Sequence, residues 1–316
     1  MSGQSAIYIT RCDISWYSKN ANAYRKPLEV ATKYETTLVV PDYCRVPKEI
    51  AEKCRKVLRF RRVWDVLSRR GGEAQSDIAV FTGFDFPCMY AGWRLKKRFG
   101  CKWTVFLWDP PSLGWRDGFP PLRWAIDAVF RLFAKRCDKL VLNIHPGLLD
   151  EIGYKPREGQ LELRLQDAWA NVQFKMDNLK EWEGAYEYDF GVLSNWEKGK
   201  GGLLMARAMA KMSGKRCLWI GNPPGNRVRG RIDFAGRLSQ DEAFARLKRC
   251  RVLVVPYLNT HALKWNYPLK LFEYLQLGRN IVASDNPGNA EIARKFPGRI
   301  TLFRSGDVDD LVRALA

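Results

Sequence analysis

Two rounds of one alternation restrict what this chain can fold into. In the first round the short apolar runs are "AIYIT" (6–10), "TTLVVP" (36–41), "DIAVFTG" (77–83), "KWTVFLWD" (102–109) and "KLVLNI" (139–144). Helical periodicity separates them, near 22–34, 47–70, 87–99 and 121–136. Continuous apolar runs are what strands buried on both faces require, and strands alternating with helices build a parallel sheet wrapped by helices. The pattern weakens between 155 and 185 and then restarts, with strands expected at 188–194, 216–221, 231–236, 251–257, 280–285 and 298–303. Helices are expected at 201–212, 239–249 and 268–277, with a last one starting at "DVDDLVRALA". Two doubly wound α/β domains follow, 1–167 and 186–316, joined by a linker at 168–185. A length of 316 residues suits two domains.

Charge narrows the choice of partner. Lys and Arg number 53 against 34 Asp and Glu, a net charge of +19. Such an excess points to nucleic acid, a phosphate-rich ligand or an anionic membrane surface. The N-terminus "MSGQSAIYIT" lacks a basic segment followed by an apolar one, so no signal peptide is expected. No apolar run approaches the roughly 18 residues of a membrane span. The 8 cysteines are scattered without a CxxC pair, and there are only 2 histidines, so a zinc site is not expected and the thiols read as reduced, in the cytoplasm.

In such sheets ligands gather at the carboxyl ends of the strands. Four loops of the second half lie there. "GVLSNWEKGKGG" carries Lys198 and Lys200 among glycines; "WIGNPPG" puts Gly221 just past a strand; "FAGRLSQDEAF" places Arg237 and Leu238 before a helix capped by Ser239. The fourth leads into "YPLKLFEYLQLGRNIVASD", where Leu269, Phe272 and Leu275 keep helical spacing and Pro268 opens the helix. Lys270 then stands in the first turn, at the positive end of the helix dipole. One reading makes Lys270 and Glu273, three apart, an ordinary surface pair. The other has Lys270 and the helix N-terminus hold a phosphate, with Glu273 accepting from hydroxyls.

The segment "PYLNTHALKWNYPLKLFEYLQLGRNIVASDNPGNAEI" resembles the nucleotide-sugar-binding region of GT-B glycosyltransferases, especially the family-4-like group. Their pattern P-x-K-x-x-E-Y-x-x-x-G-x-x-[IV]-V-A is matched by Pro268, Lys270, Glu273, Tyr274, Gly278, Val282 and Ala283. The resemblance covers about 188–312. It implies two Rossmann-like domains facing across a cleft and a UDP- or GDP-sugar donor in the second. It also implies Lys198 and Lys270 on the donor diphosphate, with Pro268 and Leu269 at the helix start beside it. Glu273 would bind the ribose and the backbone near Arg237 and Leu238 the base. His261, just upstream, would touch the donor sugar or phosphate. Trp265 stands where many relatives have a glutamate, and Leu193 and Ser194 where an arginine is frequent. Relatives often continue into a helix returning to the first domain, whereas this chain stops at Ala316.

Glycosyl transfer places negative charge on the leaving phosphate, which fixed cations and backbone N–H groups stabilise. No Asp-x-Asp motif lies near a strand end, so a metal-independent reaction is expected, with no bound cofactor. An inverting reaction needs a base for the acceptor hydroxyl. Asp109, ending "TVFLWDPP", is the first candidate and Asp13 the second, although an Asp before Pro also starts turns. A retaining reaction needs no such base. His145, before Pro146, reads as a loop residue.

The excess charge gathers in the first domain. Between Lys53 and Arg70 eight basic residues face one acid, Asp65, and Val57, Phe60, Trp64 and Leu67 keep helical spacing. In 121–136, Leu122, Ile126, Val129, Phe130 and Phe133 share a face, with Arg123, Trp124 and Arg131 beside or opposite it. Basic amphipathic helices with marginal tryptophan suit a membrane surface. Arg55, Arg59, Arg62, Trp64, Arg123, Trp124 and Arg131 are therefore the expected membrane or acceptor surface. No nucleic-acid module is visible. The expectation is a glycosyltransferase at the inner membrane face acting on a lipid-linked glycan or a surface-polysaccharide precursor. Its rivals are a nucleotide-sugar epimerase and a non-catalytic nucleotide- or nucleic-acid-binding protein.

Overall fold

The computed structural model describes residues 4–14, 22–61, 78–111, 120–164, 184–225, 228, 231–261 and 263–316. The chain forms two compact units, Met1–Arg164 and Leu165–Ala316. Most of the expected linker at 168–185 lies outside the described residues.

In the first unit the strands are β1 (Ser5–Ile9), β2 (Glu35–Pro41), β3 (Lys56–Phe60), β4 (Ala79–Thr82), β5 (Lys102–Leu107), β6 (Lys139–Leu142) and β7 (Leu161–Leu163). They pair in parallel in the order β3-β2-β1-β4-β5-β6-β7. The helices are α1 (Asn22–Lys33), α2 (Lys48–Ala51), α3 (Phe86–Phe99), α4 (Pro120–Ala134) and α5 (Gly147–Glu151). Tyr8, Leu38, Val40, Phe106 and Val141 are fully buried in one core. Trp103, inside the same unit, satisfies its indole N–H on Thr82 Oγ1 at 3.0 Å, as a buried tryptophan must.

The helix expected over 47–70 is corrected. It stops at Ala51, and Lys56–Phe60 is an edge strand parallel to β2. Val57 and Leu58 are half-buried in the sheet while Lys56 and Arg59 point out. A short apolar run fits either period, and pairing with β2 decides it here. The basic amphipathic helix proposed for 53–70 is therefore absent over 53–60, and Arg62 and Trp64 lie outside the described residues. Strand β7 and helix α5 had no clear sequence signal.

A charged network closes this unit. Lys26, 5 % exposed, reaches Glu29 at 3.2 Å, and Arg164 at the end of β7 pairs with both Glu29 and Glu162. Burial would raise the Glu29 carboxyl, but Lys26 and Arg164 outweigh it and hold it below its ordinary range. Burial likewise works against Glu162, which Lys139 and Arg164 lower. Depressed carboxylates stabilise the fold above their unfolded values and lose that contribution as pH falls through the folded ones. Acid titration by circular dichroism should therefore show unfolding that begins below the ordinary glutamate range, with a shallower acid limb in Glu29→Gln.

The second unit carries β8 (Tyr188–Leu193), β9 (Cys217–Ile220), β10 (Ile232–Gly236), β11 (Cys250–Val255), β12 (Asn280–Ser284) and β13 (Ile300–Phe303). Its order is β10-β9-β8-β11-β12-β13, all parallel. A 3-10 turn (Lys198–Lys200) leads into α6 (Gly202–Lys211), followed by α7 (Gln240–Leu247), α8 (Leu269–Gln276), α9 (Pro287–Lys295) and α10 (Val308–Leu315). Ser239 caps α7 in the expected capping box with Glu242. Helix α9 was not foreseen; Pro287 stands at the helix start, where its missing N–H costs nothing. Phe190, Met205, Trp219, Val254 and Leu311 form this unit's own core.

Six of the eight cysteines are buried, and Cys12 and Cys54 are half-buried. Among the described residues no helix is long and apolar enough to cross a membrane.

Candidate functional site

The strand order of the second unit reverses between β8 and β11, which opens a crevice at their carboxyl ends. Ser194 follows β8 there and Tyr257 follows β11, and both are buried, at 2 % and 4 % exposure. The Trp219 indole donates to Ser194 O at 2.6 Å, fixing the first loop. The 3-10 turn lies against the second: Leu258 N donates to Gly199 O at 2.9 Å. Gly201 ends that turn at φ 76°, and a Cβ there would fall 1.7 Å from Pro256 O. Only a residue without a side chain brings the two loops this close.

This packing sets Lys200 Nζ 4.4 Å from the centre of the Tyr257 ring. Lys270 acts on the same phenol from α8. Burial would raise the Tyr257 phenol, but Lys200 and Lys270, with Ser194 alongside, bring it below its ordinary value, while Glu273 opposes them. Two cations therefore converge on one buried group, where each is worth more than in water. Helix α8 begins at Pro268 with no side chain capping it, so its first N–H groups add positive potential.

The neighbours of this cluster are held firmly. Tyr274, on α8, accepts from Leu193 N at 2.7 Å and so joins the helix to the end of β8. Tyr267, before α8, donates to Glu291 of α9. Buried Asn286 donates to Leu263 O at 3.2 Å, and Ser305 Oγ donates to Tyr257 O at 3.2 Å. Such supports fix where the lysines stand.

The expected donor residues are distributed around this cluster. Lys270 and Glu273 are half-buried on α8, directly behind buried Pro268 and half-buried Leu269. Gly221 follows β9, its N–H donating to Gly236 O at 2.8 Å. Arg237 is exposed and Leu238 half-buried just after β10, and His261 is half-buried in the loop after β11. Lys198 is exposed; Lys200 is the lysine of that turn that meets Tyr257. Tyr257 itself escaped the sequence reading, for in "VVPYLN" it looks like one more strand-end aromatic.

Asp13 and Asp109 belong to the first unit, after β1 and β5, and both are half-buried. Asp13 Oδ1 accepts from Arg45 N at 3.1 Å. Cys12 precedes Asp13, and burial pushes its thiol up to about 11, with Asp85 and Asp109 adding to the effect. Asp85 was also missed. It caps α3 through Cys88 N at 3.2 Å, and burial raises its carboxyl above the ordinary range. The signal available was an Asp two residues before Pro87, an N-cap pattern.

Of the residues expected at a membrane or acceptor surface, Arg55, Arg59 and Arg131 bond within the first unit. Arg55 pairs with Glu35 at 3.5 Å, and Arg59 donates to Cys44 O at 2.6 Å. On α4, Arg131 donates to Ile152 O at 2.6 Å and Arg123 has its Nε buried, whereas Trp124 is 62 % exposed. Among the described residues no three His, Cys, Asp or Glu side chains gather as a metal site requires.

Donor affinity should depend on pH through Tyr257. Because its phenol titrates below the ordinary value, a phenolate forms in reach of both lysines' charge as pH rises and competes with any phosphate. Calorimetric titration with UDP from neutral to alkaline pH should show weakening affinity, and Tyr257→Phe should weaken less.

Residues 188–316 match the family model described as Glycosyl transferases group 1. No curated protein matches. Among solved structures, the chain is similar to sucrose-phosphate synthase from Thermosynechococcus elongatus, with a TM-score of 0.68 at 15 % identity over 99 % of this chain and 88 % of that one. It is similar to HepE from Anabaena in complex with UDP and glucose, with a TM-score of 0.67 at 11 % identity over 99 % and 89 %. It is also similar to an E. coli trehalose-6-phosphate protein bound with UDP-2-fluoro glucose, with a TM-score of 0.60 at 11 % identity over 98 % and 90 %. The strand order and these comparisons agree on the fold: residues 188–316 are similar to the glycosyl transferases group 1 model, and the chain has the GT-B fold of two Rossmann-like units.

Proposed function

We propose that the chain transfers a sugar from a nucleoside diphosphate donor to an acceptor hydroxyl. The observation that carries this reading is the convergence of Lys200 and Lys270 on buried Tyr257 beside the uncapped start of α8. As the anomeric carbon–oxygen bond breaks, charge grows on the leaving diphosphate. Two fixed lysines and the helix N–H groups stabilise that charge more than they stabilise the ground state. Glu273, one turn along α8, accepts from the donor's ribose hydroxyls. Asp109 is the candidate base for the acceptor hydroxyl, with Asp13 second. The donor is a UDP- or GDP-sugar, as the family match and the UDP complexes of similar structures support. The acceptor is a lipid-linked glycan or surface-polysaccharide precursor presented at the inner face of a membrane, a reading that the +19 net charge supports.

Thermal unfolding with a panel of UDP-, GDP- and dTDP-sugars tests the donor. At a hundredfold excess over Kd, the correct base should raise the midpoint by roughly 5–10 °C. No shift from any member of the panel would sink the reading.

A further inference from the structure

Helix α4 is apolar on its outward side as well as on the side that buries Phe130, Phe133 and Ala134. Of its charged residues, Asp127 is 5 % exposed and Arg123 and Arg131 are half-buried, Arg131 donating to Ile152 O at 2.6 Å. Its outward residues are apolar: Leu122 at 38 % exposure, Trp124 at 62 %, Val129 at 36 % and Leu132 at 49 %, with Ala125 and Ala128 between them. A water-facing helix shows the opposite arrangement. Beside this face lies a cavity of about 330 Å³ between α3 and α4, lined by Phe84, Phe86, Met89, Ile126, Val129 and Phe130. Phe86 is itself 47 % exposed, so the apolar surface runs from helix to cavity without a polar break.

The charged side chains that α3 and α4 themselves expose beside this surface are cationic, and the exposed Asp138 beyond α4 is paired with Lys96 of α3. Arg94 lies over Tyr90 and Lys97 over Trp93 on α3, and both rings pack on Phe133 of α4. Lys135 and Arg136 are exposed just beyond the end of α4. Helix α3 contains no Asp or Glu, and the one acid of α4 is the buried Asp127. A hydrocarbon surface edged by cations, on two helices that expose no acid of their own, matches an anionic lipid leaflet: apolar side chains enter the acyl region and the cations meet phosphate. A second copy is the poorer match, because two such cationic edges of a +19 chain would repel.

We propose that the outward face of α4 and the adjoining cavity seat the first unit on an anionic phospholipid leaflet, with lipid hydrocarbon filling the cavity. This rests on the membrane-bound acceptor of the proposed function and names the surface that would reach it. It replaces the cations expected at Arg55, Arg59 and Arg131, which bond within the fold, and at half-buried Arg123, by an apolar face with Arg94, Lys97, Lys135 and Arg136 at its edge.

Cosedimentation of the full chain with phosphatidylcholine vesicles, with and without phosphatidylglycerol, tests it. Binding to the anionic vesicles should be at least about tenfold tighter than to the neutral ones. Trp124→Ser combined with Leu132→Ser should weaken it about a hundredfold, with unchanged thermal unfolding because both side chains are exposed. Brominated lipid should quench Trp124 emission, a signal lost in Trp124→Phe. Absence of vesicle binding would overturn the proposal, as would binding that the double substitution leaves intact. Self-association abolished by the double substitution would overturn it too, by assigning the face to a second copy. Lys270→Ala should still bind vesicles, so a failed donor assay and a failed vesicle assay strike different conclusions.

Discussion

Replacing Lys270 by alanine should abolish most transfer while leaving the protein as stable as before, or slightly more so. The expected loss in kcat/KM is about 10²–10³, the usual effect of removing one preorganised group that stabilises developing charge. Stability moves the other way for local reasons. Lys270 is half-buried at the second position of α8, where a cation opposes the dipole, and alanine is the better helix former. The buried face of α8, Leu271, Phe272, Tyr274 and Leu275, is untouched. A merely structural lysine would give the reverse signature, lower stability with retained donor binding. The measurement is paired: unfolding midpoint without ligand, and the midpoint shift with the donor. Undiminished donor binding by Lys270→Ala would remove this lysine from the site.

Gly201→Ala should damage both stability and donor binding. The backbone at this position is left-handed, at φ 76°, which costs a residue with a Cβ about 1–2 kcal/mol. The new methyl also falls 1.7 Å from Pro256 O, a backbone atom that cannot rotate away. The turn bearing Lys200 must therefore shift from the loop bearing Tyr257. Together these should cost about 3 kcal/mol, or roughly 6–12 °C in the second unit's midpoint. Gly214 is the control: its φ is 78°, but a Cβ there meets nothing within 4 Å. Gly214→Ala should show the strain alone and keep donor affinity. If the two variants behaved alike, the close approach of the loops would have no bearing on the site.

The two rounds of alternation were legible because strands buried on both faces leave continuous apolar runs, and β1, β2, β4 to β6 and β8 to β13 fall where those runs lie. The lysine helix was legible because Pro268 and the apolar spacing behind it are local signals. What failed was non-local. Lys56–Phe60 carries five residues compatible with either period, and only the free edge of β2 makes them a strand. Periodicity found an apolar arc on α4, but the arc is wider than the face that packs. Phe130 and Phe133 are buried while Leu122 and Val129 are not, and nothing in spacing separates them. Tyr257 acquires its character from Lys200, 57 positions upstream, and from Lys270, through a contact between loops that the sheet order creates.

The quiet thiols of this chain make it convenient for site-directed spectroscopy. The two least buried, Cys12 and Cys54, titrate at about 11, held there chiefly by burial. At neutral pH roughly one in ten thousand of either is thiolate, the form that maleimides and nitroxide reagents attack. A single cysteine introduced on a solvent-facing turn would outpace them by orders of magnitude, so a spin label or fluorophore could be attached without first stripping the native residues.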